Sequence, residues 1–62
     1  MIDYTEEQRT AVSLFQMSYQ SAREDRMTRE EARTAALNFL RGGTYGAHAR
    51  MVSANFPADL LP

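Results

Sequence analysis

The chain contains no cysteine, no lysine and no tryptophan, and its only histidine is His48. Without cysteine there is no disulfide, no thiolate-bound zinc or iron–sulfur cluster, and no thiol nucleophile. The acidic residues show no ligand spacing around His48, so neither a metal nor any other cofactor is expected. No apolar run approaches the ~18–20 residues that a membrane span needs. The opening stretch, MIDYTEEQR, has neither the basic start nor the apolar core of a secretory leader. A cytoplasmic protein without a membrane partner is the expectation. All seven basic residues are arginine. Arginine suits planar, bidentate pairing with carboxylate or phosphate, but codon bias in a GC-rich genome gives the same pattern.

Sixty-two residues allow one domain, taken here as residues 1–62. A chain of this size buries only about 60% of the surface its unfolded form exposes. One core of that size supplies roughly 3–5 kcal/mol of net stability, and natural chains this short usually add a disulfide, a metal or another chain. With the first two not expected, completion by a homodimer or by a partner is the expectation, set against a compact monomeric bundle. Hydrophobic content is 44%, ordinary for a folded domain and too high for a disordered one.

Net charge is −1, which gives no global attraction to nucleic acid. Its distribution is uneven. Residues 1–25 carry Asp3, Glu6, Glu7, Glu24 and Asp25 against Arg9 and Arg23, a net of −3. Residues 26–62 carry Arg26, Arg29, Arg33, Arg41 and Arg50 against Glu30, Glu31 and Asp59, a net of +2. Such asymmetry favours docking of the two halves, or a basic face kept for an anionic partner.

Helical signals recur along the chain, and strand-like alternation is absent. Thr5-Glu6-Glu7-Gln8 fits a capping box, and the two glutamates suit the positive end of a helix dipole. At ~100° per residue, Ala11, Val12, Leu14, Phe15, Ser18, Tyr19 and Ala22 gather on one side with Tyr4. A helix over 5–26 follows. Thr28-Arg29-Glu30-Glu31 is a full Thr-x-x-Glu box, with Met27 and Ala32 placed to form a hydrophobic staple. The helix it starts, over 28–41, carries Ala32, Ala35, Ala36, Leu37, Phe39 and Leu40 on its apolar side. Gly42-Gly43 should end it in the left-handed conformation. Thr44 is a third cap candidate, and Tyr45, Ala49, Val52 and Phe56 repeat at helical spacing, although Gly46 weakens a helix there by about 1 kcal/mol. Pro57 biases Phe56 out of the helix, so a short helix over 44–56 and a tail over 57–62 are expected. The sum is an all-α fold: a small three-helix bundle, or a helical hairpin plus a short third helix, completed by dimerisation if it dimerises.

Few residues carry chemistry. His48 as a general base would need a nucleophile in reach; Tyr45 and Ser53 are near in sequence but at no catalytic spacing. A half-covered flank histidine is the plainer reading, and no enzyme is expected. Gly42-Gly43-Thr44-Tyr45-Gly46 matches no nucleotide-binding fingerprint and reads as a C-cap followed by an N-cap.

Two surfaces compete for a binding role. Arg26, Arg29 and Arg33 surround the start of the second helix, and the face of Arg29 and Arg33 runs on into Ala36 and Leu40. That stripe suits a protein partner with an acidic rim and an apolar centre. The plainer account pairs Arg33 with Glu30 and lets the arginine stems cover apolar surface. Met17 falls off the main apolar side of its helix and is therefore an expected exposed interface residue. The other surface is helix-turn-helix-like, with Arg41, Thr44, His48 and Arg50 facing or flanking a groove of nucleic acid. The leading expectation is a non-enzymatic regulator or inhibitor that binds another protein, as adaptors and phage or plasmid inhibitors of host factors do. The alternative is a small dimeric nucleic-acid-binding regulator.

Overall fold

Thr5 and Thr28 start the two long helices by the mechanism the sequence predicts. In the computed structural model, which describes residues 5–56, α1 runs Glu6–Glu24 and α2 runs Arg29–Arg41. At α1 the Gln8 N–H donates to Thr5 Oγ1 at 3.2 Å, and the Thr5 N–H donates to Gln8 Oε1 at 2.9 Å. At α2 the Glu31 N–H donates to Thr28 Oγ1 at 3.2 Å, and the Thr28 N–H donates to Glu31 Oε1 at 3.1 Å. Two otherwise orphaned backbone donors are thereby satisfied at each helix start. The Thr28 backbone and then its side chain hold the Glu31 carboxyl below its ordinary range. A depressed carboxyl stabilises the fold above its unfolded pKa, and that contribution is lost as pH falls through the folded value.

The turn between the helices departs from expectation. α1 ends at Glu24, about two residues before the predicted end. Arg26 takes φ 68°, the left-handed conformation that usually selects glycine. The Arg26 N–H donates to the Arg23 carbonyl at 3.0 Å, and the Met27 N–H donates to the Ala22 carbonyl at 3.2 Å. That pair of bonds is the Schellman arrangement, with a side chain where glycine would be unstrained. The Arg23 guanidinium then donates from Nη1 to the Met27 carbonyl at 2.7 Å, closing the turn from outside. Arg26→Gly is expected to raise stability by about 0.5–1 kcal/mol, because it removes a left-handed non-glycine residue at some cost in unfolded-chain entropy. A shift of the urea midpoint to higher concentration with an unchanged slope would show it; a lower midpoint would mean that the Arg26 side chain outweighs its strain.

The end of α2 is the converse case. Gly42 has φ −80° and ψ −6°, and no described glycine has positive φ. The expected left-handed glycine cap is not used. Tight turns replace it: Gly43 N–H donates to Leu40 O, Gly46 N–H to Gly43 O, and His48 N–H to Tyr45 O. The chain therefore enters a 3-10 turn, Gly46–His48, before α3, Ala49–Asn55. Thr44 caps neither, since Tyr45 precedes the 3-10 turn and makes no side-chain cap bond. Gly46 is needed here for a packing reason: a Cβ on it would sit 2.7 Å from the Arg41 carbonyl oxygen. Among the described residues there is no strand. Tyr4 and the tail over 57–62 lie outside them.

The core lies between α1 and α2, with α3 laid across one side of that hairpin. Ala11, Phe15, Tyr19 and Ala22 of α1 meet Ala32, Ala36, Leu37 and Leu40 of α2, and Ala49 and Val52 of α3 close the set. Alanines at 32 and 36 bring the helix backbones close, as small residues at a helix contact do. Phe15 is the largest fully buried side chain, and its ring lies 6.3 Å from Tyr19 and 6.1 Å from Phe56. No described helix is long and apolar enough to cross a membrane.

Candidate functional site

Arg33 binds within the fold, across 20 and 23 residues of sequence. It is half-buried on α2, and its Nη2 donates to the Ser53 carbonyl at 3.1 Å and to Ser53 Oγ at 2.7 Å. Its Nε donates to the Phe56 carbonyl at 3.3 Å. Those carbonyls are orphans of the α3 C-terminus, where a positive charge also meets the negative end of the helix dipole. Asn55 Nδ2 also donates to the Met51 carbonyl, one turn back in α3, at 2.9 Å.

The predicted basic and apolar stripe is therefore divided. Ala36 and Leu40 are buried in the core and add no exposed apolar area beside Arg29 and Arg33. The Arg33 fork is committed to α3. Arg29 is exposed at the first residue of α2, and Arg26 is exposed in the turn. Arg33 forms no ion pair with Glu30; among the described residues the one close contact between a carboxylate and a basic side chain is that of Glu7 with His48.

The four residues of the helix-turn-helix reading are also placed. Arg41, Thr44 and Arg50 are exposed, while His48 is half-buried with its Nε2 3.6 Å from Glu7 Oε2. A carboxylate thus stands beside the histidine that would meet a phosphate. The predicted third helix is shortened to seven residues by the 3-10 turn before it. Ser53, considered beside His48 for catalysis, has its hydroxyl in the Arg33 cluster instead. Among the described residues no group of three or more His, Asp or Glu side chains is placed to hold a metal ion.

The side of the hairpin away from α3 carries the most exposed apolar surface. Met17 is 67% exposed, Phe39 59% and Met27 36%. The exposure of Met17 agrees with its predicted position. That of Phe39 corrects its placement on the buried side of α2. Met17, Phe39 and Met27 line one open groove with Leu14, Ser18, Ser21, Ala22 and Asp25, enclosing ≈ 430 Å³. Beyond Phe39 the groove continues past Leu40, Gly43 and Thr44 to Tyr45. A separate shallow depression on the outer face of α2 is lined by Met27, Glu30, Glu31, Thr34, Ala35 and Asn38. Buried Ala22 and half-buried Leu14 and Ser18 lie at the base of the groove, among the exposed Met17, Ser21, Asp25, Met27 and Phe39. The groove is open to solvent along its length and offers contact area.

Phe39 was legible in part. It follows the apolar face of α2 but lies ~100° from Leu40, at the margin of the buried sector, where the position of a third element decides whether it is covered. No protein-family model matches the chain, and no curated protein or solved structure shows significant similarity to it.

Proposed function

We propose that this protein is a non-enzymatic regulator or inhibitor that acts by binding another protein through the open groove of the α1–α2 hairpin. The observation that carries the reading is the pairing of Met17 with Phe39, two large apolar side chains more than half exposed in one groove. An exposed apolar cluster costs solubility and stabilises nothing in the isolated chain, so contact with a partner is its physical rationale. Methionine and aromatic residues are also enriched at interface centres, where they fill partner pockets or accept partner side chains.

The test is capture from host lysate by the wild-type chain and by the double variant Met17→Gln, Phe39→Gln, each with and without nuclease. Both residues are exposed, so the variant should keep wild-type helicity by circular dichroism. A defined protein retained after nuclease treatment by the wild type and lost by the variant is the expected result. Captured material that vanishes with nuclease and is unaffected by the variant would overturn the reading. It would favour the nucleic-acid surface of Arg41, Thr44, His48 and Arg50.

A further inference from the structure

We infer that Met17 and Met27 form a reversible oxidation site through which a peroxide switches the groove off, an inference whose consequence for binding rests on the protein-binding reading above. The chain has four methionines and no cysteine, so thioethers are its only sulfur and no thiol competes for an oxidant. Among the described residues the three methionines divide by place. Met17 and Met27 are exposed and line the same groove. Met51 is half-buried and packs against the core. Attack follows exposure, so the first oxygens go to the groove.

The step moves one electron pair. The thioether sulfur attacks one oxygen of hydrogen peroxide, an S–O bond forms as the O–O bond breaks, and the other oxygen leaves as water. Sulfur is oxidised to the sulfoxide and the peroxide is reduced. The product is polar where the thioether was apolar, yet neither side chain belongs to the core. Met27 holds the hairpin turn through its backbone: its N–H donates to the Ala22 carbonyl at 3.2 Å, and its carbonyl accepts from Arg23 Nη1 at 2.7 Å. Oxidation therefore alters the groove and leaves the helices in place. A partner group seated in the groove must then bury a sulfoxide oxygen that lacks a hydrogen bond. A methionine sulfoxide reductase supplied with a thiol reverses the change, the thiol being oxidised to a disulfide as the oxygen leaves in water.

In the experiment the full chain is treated with limiting hydrogen peroxide, quenched with catalase and mapped by peptide mass spectrometry. Met17 and then Met27 should gain oxygen several-fold faster than Met51, with helicity by circular dichroism unchanged. The oxidised chain is then used for capture from the same host lysate. Its retention of the nuclease-resistant protein should fall about tenfold, as when a polar group is buried without a hydrogen bond. Reductase treatment before capture should restore retention, and Met17→Leu with Met27→Leu should preserve it through peroxide. Oxidation of Met51 as fast as Met17 would overturn the inference, as would full capture by a chain oxidised at both groove positions. If the Met17, Phe39 glutamine variant still loses the protein in that case, the groove remains the binding site and only the switch falls. Peroxide-dependent loss in the leucine variant as well would place the damage outside the groove and overturn the inference too. A lysate from which the untreated chain retains no defined protein overturns the binding reading, and the switch with it.

Discussion

Phe15→Ala is expected to leave the chain without a cooperative thermal transition at 25 °C and above. Phe15 is fully buried, stacked on Tyr19 in α1 and tilted against Phe56 beyond α3. Truncating a buried phenylalanine costs about 3–5 kcal/mol through lost transfer energy and the cavity left behind. Relief by collapse is small here, because Ala11, Ala32, Ala36 and Ala49 of the same core have no side-chain length with which to fill the space. A core in this size class holds only roughly 3–5 kcal/mol in total, so the substitution removes the whole margin. Far-UV circular dichroism against temperature checks it: a sigmoidal melt in the wild type, a shallow featureless slope in the variant. A variant that melts cooperatively within a few degrees of the wild type would mean that the core is held by something other than this aromatic contact.

The second large effect is expected at Arg33. Arg33→Ala removes three hydrogen bonds at once and leaves the Ser53 and Phe56 carbonyls without their donor. Hydrogen bonds from a charged donor are worth more than neutral ones, and partial exposure limits the total to about 2–3 kcal/mol. The loss should be local first. Amide exchange in Ala49–Phe56 should accelerate well before exchange in α1 or the first turns of α2 changes. Arg33→Lys keeps the charge but not the fork that spans Nε and Nη2, so it should restore only part of the protection. Protection of α3 unchanged in Arg33→Ala would sink this account and return Arg33 to the pool of surface arginines. A charge reversal at Arg29 and Arg33 would therefore test folding as much as partner binding.

These two sites show what kind of information the sequence holds. The capping boxes at Thr5 and Thr28 were legible because each is complete within four residues. The buried faces of α1 and α2 were legible because a helix repeats them. Phe15 could be placed in the core on that ground alone. The role of Arg33 depends on carbonyls 20 and 23 residues away, and no local pattern announces them. The side of the hairpin that α3 covers is likewise a tertiary choice. It decides that Leu37 is buried and Phe39 is not, the two standing at opposite margins of the apolar side of α2. Arg26 defeats the usual expectation in the opposite sense, since a left-handed turn is normally announced by glycine and here is held by backbone bonds around a side chain. Gly42-Gly43 announced such a turn and did not make one.

Leu14, Ala22 and Leu40 belong to the packed interior or lie against it, and the same three side chains line the outer groove. One layer of residues thus serves as the inner wall of the fold and lines the groove. A ligand that fills the groove binds the folded chain and not the unfolded one, and at a hundred times its dissociation constant it adds about 2.7 kcal/mol by mass action. That is comparable with the entire margin of a domain this small. If a partner fills the groove as proposed, the lifetime of the chain would follow that partner's concentration, with unbound copies cleared by proteolysis of their unfolded fraction.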